Sequence, residues 1–323
     1  LITQTTTASH DTDGNDERLV QAAWLYYVDG LTQEEIAHRL FVSRPTVGRM
    51  LQRARSNGIV RIEVDTTKLG DLQLANDLKQ EYELDDVVVI PAGAESLSQE
   101  AQNDRVAAAA SIYVSRHLHP GSVIGLAWGE TVQQTLAHLP SRSLEGVTFA
   151  ALGGGMDYIN ARLSTYPSVA ERLRPIPAPL VVSSTRIAQA LNREESVKAT
   201  LDLARTAEMT LTSVGPASLS SNIARAGVFT PEEITQVISS GAVGDMLGQW
   251  FNGSGTPITS QRGPCHVGMS LEELRKQQNV VGLVAGRNKA EAARVALLAG
   301  YWNSLVTDER VARALLSPAL ART

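Results

Sequence analysis

The sequence specifies an α/β chain: a short all-α segment, then a larger domain built on a doubly wound parallel sheet. Three observations lead there. Three amphipathic segments at helical spacing lie before residue 60, short β-branched runs alternate with helical segments after Asp65, and positive charge gathers in the first part. The expected divisions are a disordered N-terminus over 1–15, a helical domain over 16–65 and the sheet domain over 66–323.

In the helical part, Leu19, Ala22, Ala23, Tyr26 and Tyr27 fall at i, i+3, i+4, i+7 and i+8, the spacing of one buried helical face. Gly30 ends that helix. Thr32 opens T-Q-E-E, in which Thr32 and Glu35 can satisfy each other's free amides as a capping box. The second helix buries Ile36, Ala37 and Leu40, and after a turn at Phe41 and Val42, Ser43 is a good N-cap for a third. That helix carries Val47, Met50, Leu51 and Ala54 on one face; Gly58 closes it, and Ile59 to Val64 alternates like a strand. A short helix, a tight turn and a second amphipathic helix form a helix-turn-helix, whose second helix enters the major groove of DNA.

Burying the Val47 face turns Pro45, Thr46, Arg49, Gln52 and Arg53 outward, with Arg44 able to reach round from the first turn. Arg44, Thr46 and Arg49 are candidates for base or groove contact, because arginine can bond guanine O6 and N7 in a fork. Thr32, Gln33 and Arg53 are placed for phosphates, which position a protein without reading sequence. Ser43 and Pro45 complete the candidate set. Gly48 either permits close backbone approach or is simply tolerated.

Charge supports this reading. Residues 32–61 hold six arginines against Glu34 and Glu35, a net +4, which leaves −9 for the rest of a chain whose net charge is −5. Such asymmetry suits one segment to an anionic partner. The alternative is a three-helix packing or dimerisation module with a solvated arginine face. The outward arginines, the caps and the tight turn together favour DNA.

Hydrophobic residues at 43% and charged residues at 20% indicate a globular protein, not a disordered or fibrous one. The single Cys265 excludes an internal disulfide framework and a cysteine-built metal site. No apolar run is long enough to span a bilayer, and Leu1 to Glu17 lacks the charged-then-apolar layout of an export signal. These features imply a soluble cytoplasmic protein with no cofactor or metal.

The expected strands are Val87–Ile90, Val123–Ala127, Val147–Leu152, Leu180–Val182, Met209–Val214, Val280–Ala285 and Leu305–Val306. Their alternation with helices argues for a parallel sheet covered on both faces, with ligands at the carboxyl ends of the strands. Three turns bear on that site. In V-I-G-L-A-W-G-E-T-V-Q-Q, Gly129 allows a tight turn, Thr131 and Gln134 have capping-box spacing, and the helix start offers amides to an anion. In A-L-G-G-G-M, Gly153, Gly154 and Gly155 let backbone approach a ligand. Ordinary turn chemistry explains either one taken singly. In V-V-G-L-V-A-G-R-N-K-A-E, Lys289 sits in the first turn of a helix after Arg287, where a cation is disfavoured unless an anion is present. A bound anion and a pairing with Glu291 or Glu130 are both open. Asp245, in G-A-V-G-D-M-L-G, reads first as a helix N-cap and second as an acceptor for ligand hydroxyls.

Several segments carry a resemblance. In the first part these are A-W-L-Y-Y-V-D-G-L-T-Q-E-E-I-A-H-R-L and S-R-P-T-V-G-R-M-L-Q-R-A-R-S-N-G-I-V-R-I. In the second they are I-P-A-P-L-V-V-S-S, G-A-V-G-D-M-L-G, G-R-N-K-A-E-A-A and L-V-T-D. Together they resemble the SorC family of sugar-responsive bacterial transcription regulators, grouped with DeoR-type sugar-binding regulators, over nearly the whole chain. The resemblance implies a homotetramer whose effector domain is similar to sugar-phosphate isomerases and deaminases. Its implied partners are double-stranded operator DNA and a phosphorylated sugar or phospho-autoinducer-2; its implied role is a repressor of a carbohydrate-uptake or catabolism operon. By the same resemblance Gly129, Glu130, Thr131 and Lys289 are phosphate-side groups, Asp245 a hydroxyl acceptor, and Gly153 to Gly155 ligand-loop backbone. Two departures bear on the pocket: Ser213-Val214-Gly215 stands where relatives have a Gly-Ile-Gly-like turn, and Arg287 where a second Gly is common.

The rival reading is a sugar-phosphate isomerase or deaminase with a DNA-binding arm. Such chemistry needs a positioned acid/base pair. No Asp-Gly-His type turn follows Val214, and His117, His119, His138 and His266 have no carboxylate partner legible in the sequence. A purely architectural DNA-binding protein is disfavoured by the large sheet domain.

Overall fold

The chain divides into two units, the first ending at Glu63 and the second beginning at Val64, in a computed structural model that describes residues 13–60, 72–155, 167–258 and 265–317. Helix α1 (Asp13–Tyr27) begins inside the stretch expected to be disordered; α2 (Gln33–Leu40) and α3 (Arg44–Ser56) follow. Ala22, Leu25, Ile36, Ala37, Val47 and Leu51 form the core of this unit, and Leu19, Ala23 and Ala54 a second cluster beside it. Leu25 takes the place expected of Tyr26 and Tyr27, which are exposed and meet edge to face with ring centroids 4.9 Å apart. At the helix end their rings keep their hydroxyls in water. Ile59 and Val60 pack on the second cluster; the rest of the expected strand Ile59–Val64 lies outside the described residues.

The second unit follows helix α4 (Leu72–Tyr82) with a seven-stranded parallel sheet. Its strands are β1 (Asp86–Ile90), β2 (Val123–Leu126), β3 (Thr148–Ala151), β4 (Leu173–Arg174), β6 (Met209–Thr212), β11 (Val280–Val284) and β12 (Ser304–Asp308), in the order β1-β12-β11-β6-β2-β3-β4. Every pairing is parallel. β6, β11 and β12 are buried at every residue, as a sheet covered on both faces requires. From β2 the chain winds outward through β3 to β4, then returns to β6 and winds the other way through β11 to β12. The direction reverses between β2 and β6, and ligand clefts open at such a switch point. Helix α5 (Gln99–Ser115) packs along α6 (Glu130–His138).

One strand expectation and one helix-cap expectation are corrected. Leu180–Val182 does not join the parallel sheet: β5 (Val181–Val182) pairs antiparallel with β10 (Cys265–His266), and Leu173–Arg174 takes the sheet edge. Pro175, Pro177 and Pro179 lack the amide a ladder needs, so the chain leaves the sheet at the first of them. Asp245 is no helix N-cap. It lies inside β8 (Ala242–Met246), the middle strand of an antiparallel sheet with β7 (Gly215–Pro216) and β9 (Gln249–Asn252). The β8–β9 hairpin turns through Leu247 and Gly248 at φ 56° and 72°, the left-handed pair of a type I′ turn.

Candidate functional site

The first unit presents a polar, basic face built by its caps. Ser43 Oγ accepts the Thr46 amide (3.3 Å) and lies 2.8 Å from the Thr46 hydroxyl, which in turn accepts from Arg49 Nη2 at 3.3 Å. The N-cap thereby orders the exposed Arg49 side chain. Thr32 and Glu35 form the expected capping box: Glu35 Oε2 accepts the Thr32 amide at 2.8 Å, a bond that lowers the Glu35 pKa. Arg44 meets Glu34 at 3.9 Å in an exposed pair, the kind that contributes about 0–1 kcal/mol and yields readily to another anion. Of the candidate DNA residues, Thr32, Ser43, Arg44, Pro45, Arg49 and Arg53 are exposed, and Gln33 and Thr46 half-exposed. All belong to α2 and its N-cap, the turn or α3. A Cβ on Gly48 would meet nothing closer than Gln33 Oε1 at 3.7 Å, so the unit itself does not require glycine there.

In the second unit a cleft of about 210 Å³ opens at the carboxyl ends of β2, β6 and β11. Trp128, Gly129 and Glu130 line it after β2, Ser213 to Pro216 after β6, and Asn288 and Lys289 after β11, with Asp245 from β8. Pockets for drug-sized ligands run to roughly 300–1,000 Å³; this one suits a smaller metabolite. Helix α6 begins at the cleft with Gly129 as N-cap and no side-chain cap, leaving its first amides for a ligand. The expected Thr131–Gln134 capping box does not form: Thr131 is in the helix, fully buried, and its hydroxyl is unpartnered.

Lys289 closes the short 3₁₀ turn Arg287–Lys289 before the helix Ala290–Leu298, and both it and Asp245 are buried. Burial pushes the Asp245 carboxyl up to about 7 against the pull of Lys289. Burial also brings the Lys289 ammonium down to about 8, with Glu130 and Asp245 holding it up and Arg225 opposing them. Gly215 pairs with Asp245 across β7 and β8, and a Cβ there would collide with the Asp245 carboxylate. The departure at Ser213-Val214-Gly215 thus keeps the one glycine that Asp245 needs. Glu130 Oε2 accepts from Asn103 Nδ2 and Asn222 Nδ2, each at 3.1 Å, and Arg225 donates to Asn222 Oδ1. Asn222 and Arg225 line the cleft and escaped sequence reasoning; the Ser221 N-cap of their short helix was the available signal.

The cleft therefore gathers Gly129, Glu130, Asp245 and Lys289, and Thr131 is not among its lining residues. It is not lined by Gly153, Gly154 or Gly155. Gly154 donates to Val267 O (3.0 Å), Gly155 to Ala178 O (2.8 Å), and a Cβ on Gly154 would strike the Ala178 and Pro179 carbonyls. The packed segment 178–180 uses these glycines. His138 and His119 do have carboxylate partners, Asp104 at 2.8 Å and Glu208 at 3.0 Å. None of the four lines the cleft. Among the described residues no group of three or more His, Cys, Asp or Glu could hold a metal, and no helix is long and apolar enough to cross a membrane.

A helix-turn-helix joined to a sheet domain with a polar, anion-ready cleft defines a ligand-responsive DNA-binding regulator. Residues 67–317 match the Sugar-bind family, described as a sugar-binding domain, and residues 21–57 match sigma-70 region 4. The chain is 32% identical over 308 residues to the transcriptional regulator LsrR of Enterobacter sp. (strain 638), covering 94% of this chain and 93% of that one. To the transcriptional regulator YjhU of Escherichia coli (strain K12) it is 30% identical over 312 residues, covering 94% and 95%. The full-length sorbitol operon regulator SorC from Klebsiella pneumoniae superposes with a TM-score of 0.68 at 26% identity, covering 94% and 99%. The chain belongs to the SorC family of DeoR-type sugar-binding transcriptional regulators.

Proposed function

We propose that this regulator is a repressor of a carbohydrate-uptake or catabolism operon, controlled by a small phosphorylated sugar or sugar-derived effector. Lys289 carries the reading: a buried ammonium faces a cleft where a helix starts uncapped. The phosphate sits against the α6 amides at Gly129, Glu130 and Thr131 and against Lys289, with Arg225 beside it, while Asp245 accepts sugar hydroxyls. Thr32, Gln33 and Arg53 hold operator phosphates, Ser43 and Pro45 set the start of α3, and Arg44, Thr46 and Arg49 meet the groove. The protein works as a homotetramer in the cytoplasm without catalysis. Effector favours one quaternary arrangement, and only one spaces the recognition helices for paired half-sites.

Calorimetric titration with a panel of pentose and hexose phosphates and phospho-autoinducer-2, each beside its dephosphorylated form, tests the effector half. Heat from a phosphorylated compound alone supports the cleft assignment; equal binding of the dephosphorylated form removes the phosphate from it. The pH dependence has a fixed sign. Asp245 must be a carboxylate, so affinity climbs as pH rises through about 7. Lys289 must be an ammonium, so affinity falls above about 8. Repeating the titration from pH 6 to 9 checks this; a flat profile contradicts the assigned roles.

A further inference from the structure

Phe41 is unexplained by the folding of the first unit. Its side chain is 95% exposed, so its burial contributes nothing to the core. Its backbone is left-handed (φ 54°, ψ 44°), a conformation that costs a residue with a Cβ free energy and glycine none. The turn itself needs only main chain: the Phe41 and Val42 amides both donate to Ala37 O. An exposed aromatic ring on a strained backbone marks a contact made elsewhere.

Its position says with what. Phe41 lies one residue after α2 ends and two before Ser43 caps α3. The nearest charged residues in sequence on either side are Arg39 and Arg44. The ring stands between exposed Arg39 and Arg44 in sequence, two residues before the exposed Ser43, and such a surface suits a polyanion with apolar edges. We propose that Phe41 is a DNA-contacting residue. Its ring packs on the deoxyribose and thymine-methyl edges of the operator, next to the phosphates its neighbours hold; phenyl against a thymine methyl is an established form of groove contact. The inference rests on reading α3 as the recognition helix.

The test uses the full chain and a duplex selected by the wild-type protein from a random-sequence pool. Phe41→Gly relieves the backbone, and Phe41→Asn keeps the left-handed turn without the ring; Phe41→Tyr keeps the ring. Fluorescence anisotropy is expected to show roughly 5–30-fold weaker binding for F41G and F41N and near wild-type binding for F41Y, within the range of single groove contacts. The thermal midpoint of F41G is not lowered. Such a loss of affinity without loss of stability is what a purely structural residue cannot produce. Wild-type affinity in F41G and F41N overturns the proposal. Arg49→Ala, measured in parallel, separates the two failures: if R49A weakens binding and F41G does not, only the Phe41 contact falls. If neither does, the recognition-helix reading falls with it.

Discussion

Replacing Lys289 with alanine is expected to abolish the effect of effector on operator binding while leaving operator affinity without effector unchanged. The ammonium is a buried cation of the cleft, and among the described residues no other lysine lines it. Coupling between effector and DNA sites is typically about 1–3 kcal/mol, so effector changes operator affinity by roughly 5–150-fold in the wild type. In K289A that factor falls to one. Stability does not confound the result, because Asp245, raised to about 7, takes a proton near neutral pH once its cation is gone. Anisotropy with and without effector measures both quantities; a normal response in K289A removes the lysine from the site.

Replacing Arg49 with alanine is expected to do the reverse: operator affinity falls, and effector binding is intact. A forked arginine–guanine contact is worth about 1–3 kcal/mol, or roughly 5–150-fold per half-site. Arg49 is exposed and donates to Thr46, so its removal leaves no buried group unpaired and the fold is unaffected. The loss is sequence-dependent, since the contact reads a base. Arg53→Ala, taken from a phosphate-side position, weakens binding to all duplexes alike and reduces its salt dependence. Equal affinity of R49A and wild type for the operator contradicts the placement of α3 in the groove.

The helix-turn-helix was legible because each of its signals is local. Thr32 and Glu35 three residues apart, Ser43 before Pro45, and Val47, Leu51 and Ala54 at helical spacing each fix their element without help from the rest of the chain. Tyr26 and Tyr27 show the limit: helical spacing says which residues share a face, and the size of a three-helix core decides how far that face is covered. The parallel strands were legible as buried β-branched runs, yet their order depends on which crossovers pack, which no run of residues encodes.

Around the cleft the gap is wider. Asp245 reads as a helix cap because Gly-Asp is a turn signal, and only pairing with Gly215, thirty residues earlier, and with Trp250 across the hairpin makes it a strand residue. Gly153 to Gly155 invite a ligand in sequence, whereas the structure places the Ala178–Leu180 segment against them. Arg225 and Asn222 join the cleft through a four-residue helix too short to show periodicity.

The most direct test of a phosphate-responsive DNA regulator is the anisotropy of the full chain with DNA from upstream of its own gene. It is measured across a salt series, with and without the sugar-phosphate panel. Tight binding that weakens steeply with salt and is released by one phosphorylated compound, but not by its dephosphorylated form, is the predicted result. Binding no tighter than to random DNA, or binding that no phosphorylated compound changes, contradicts it.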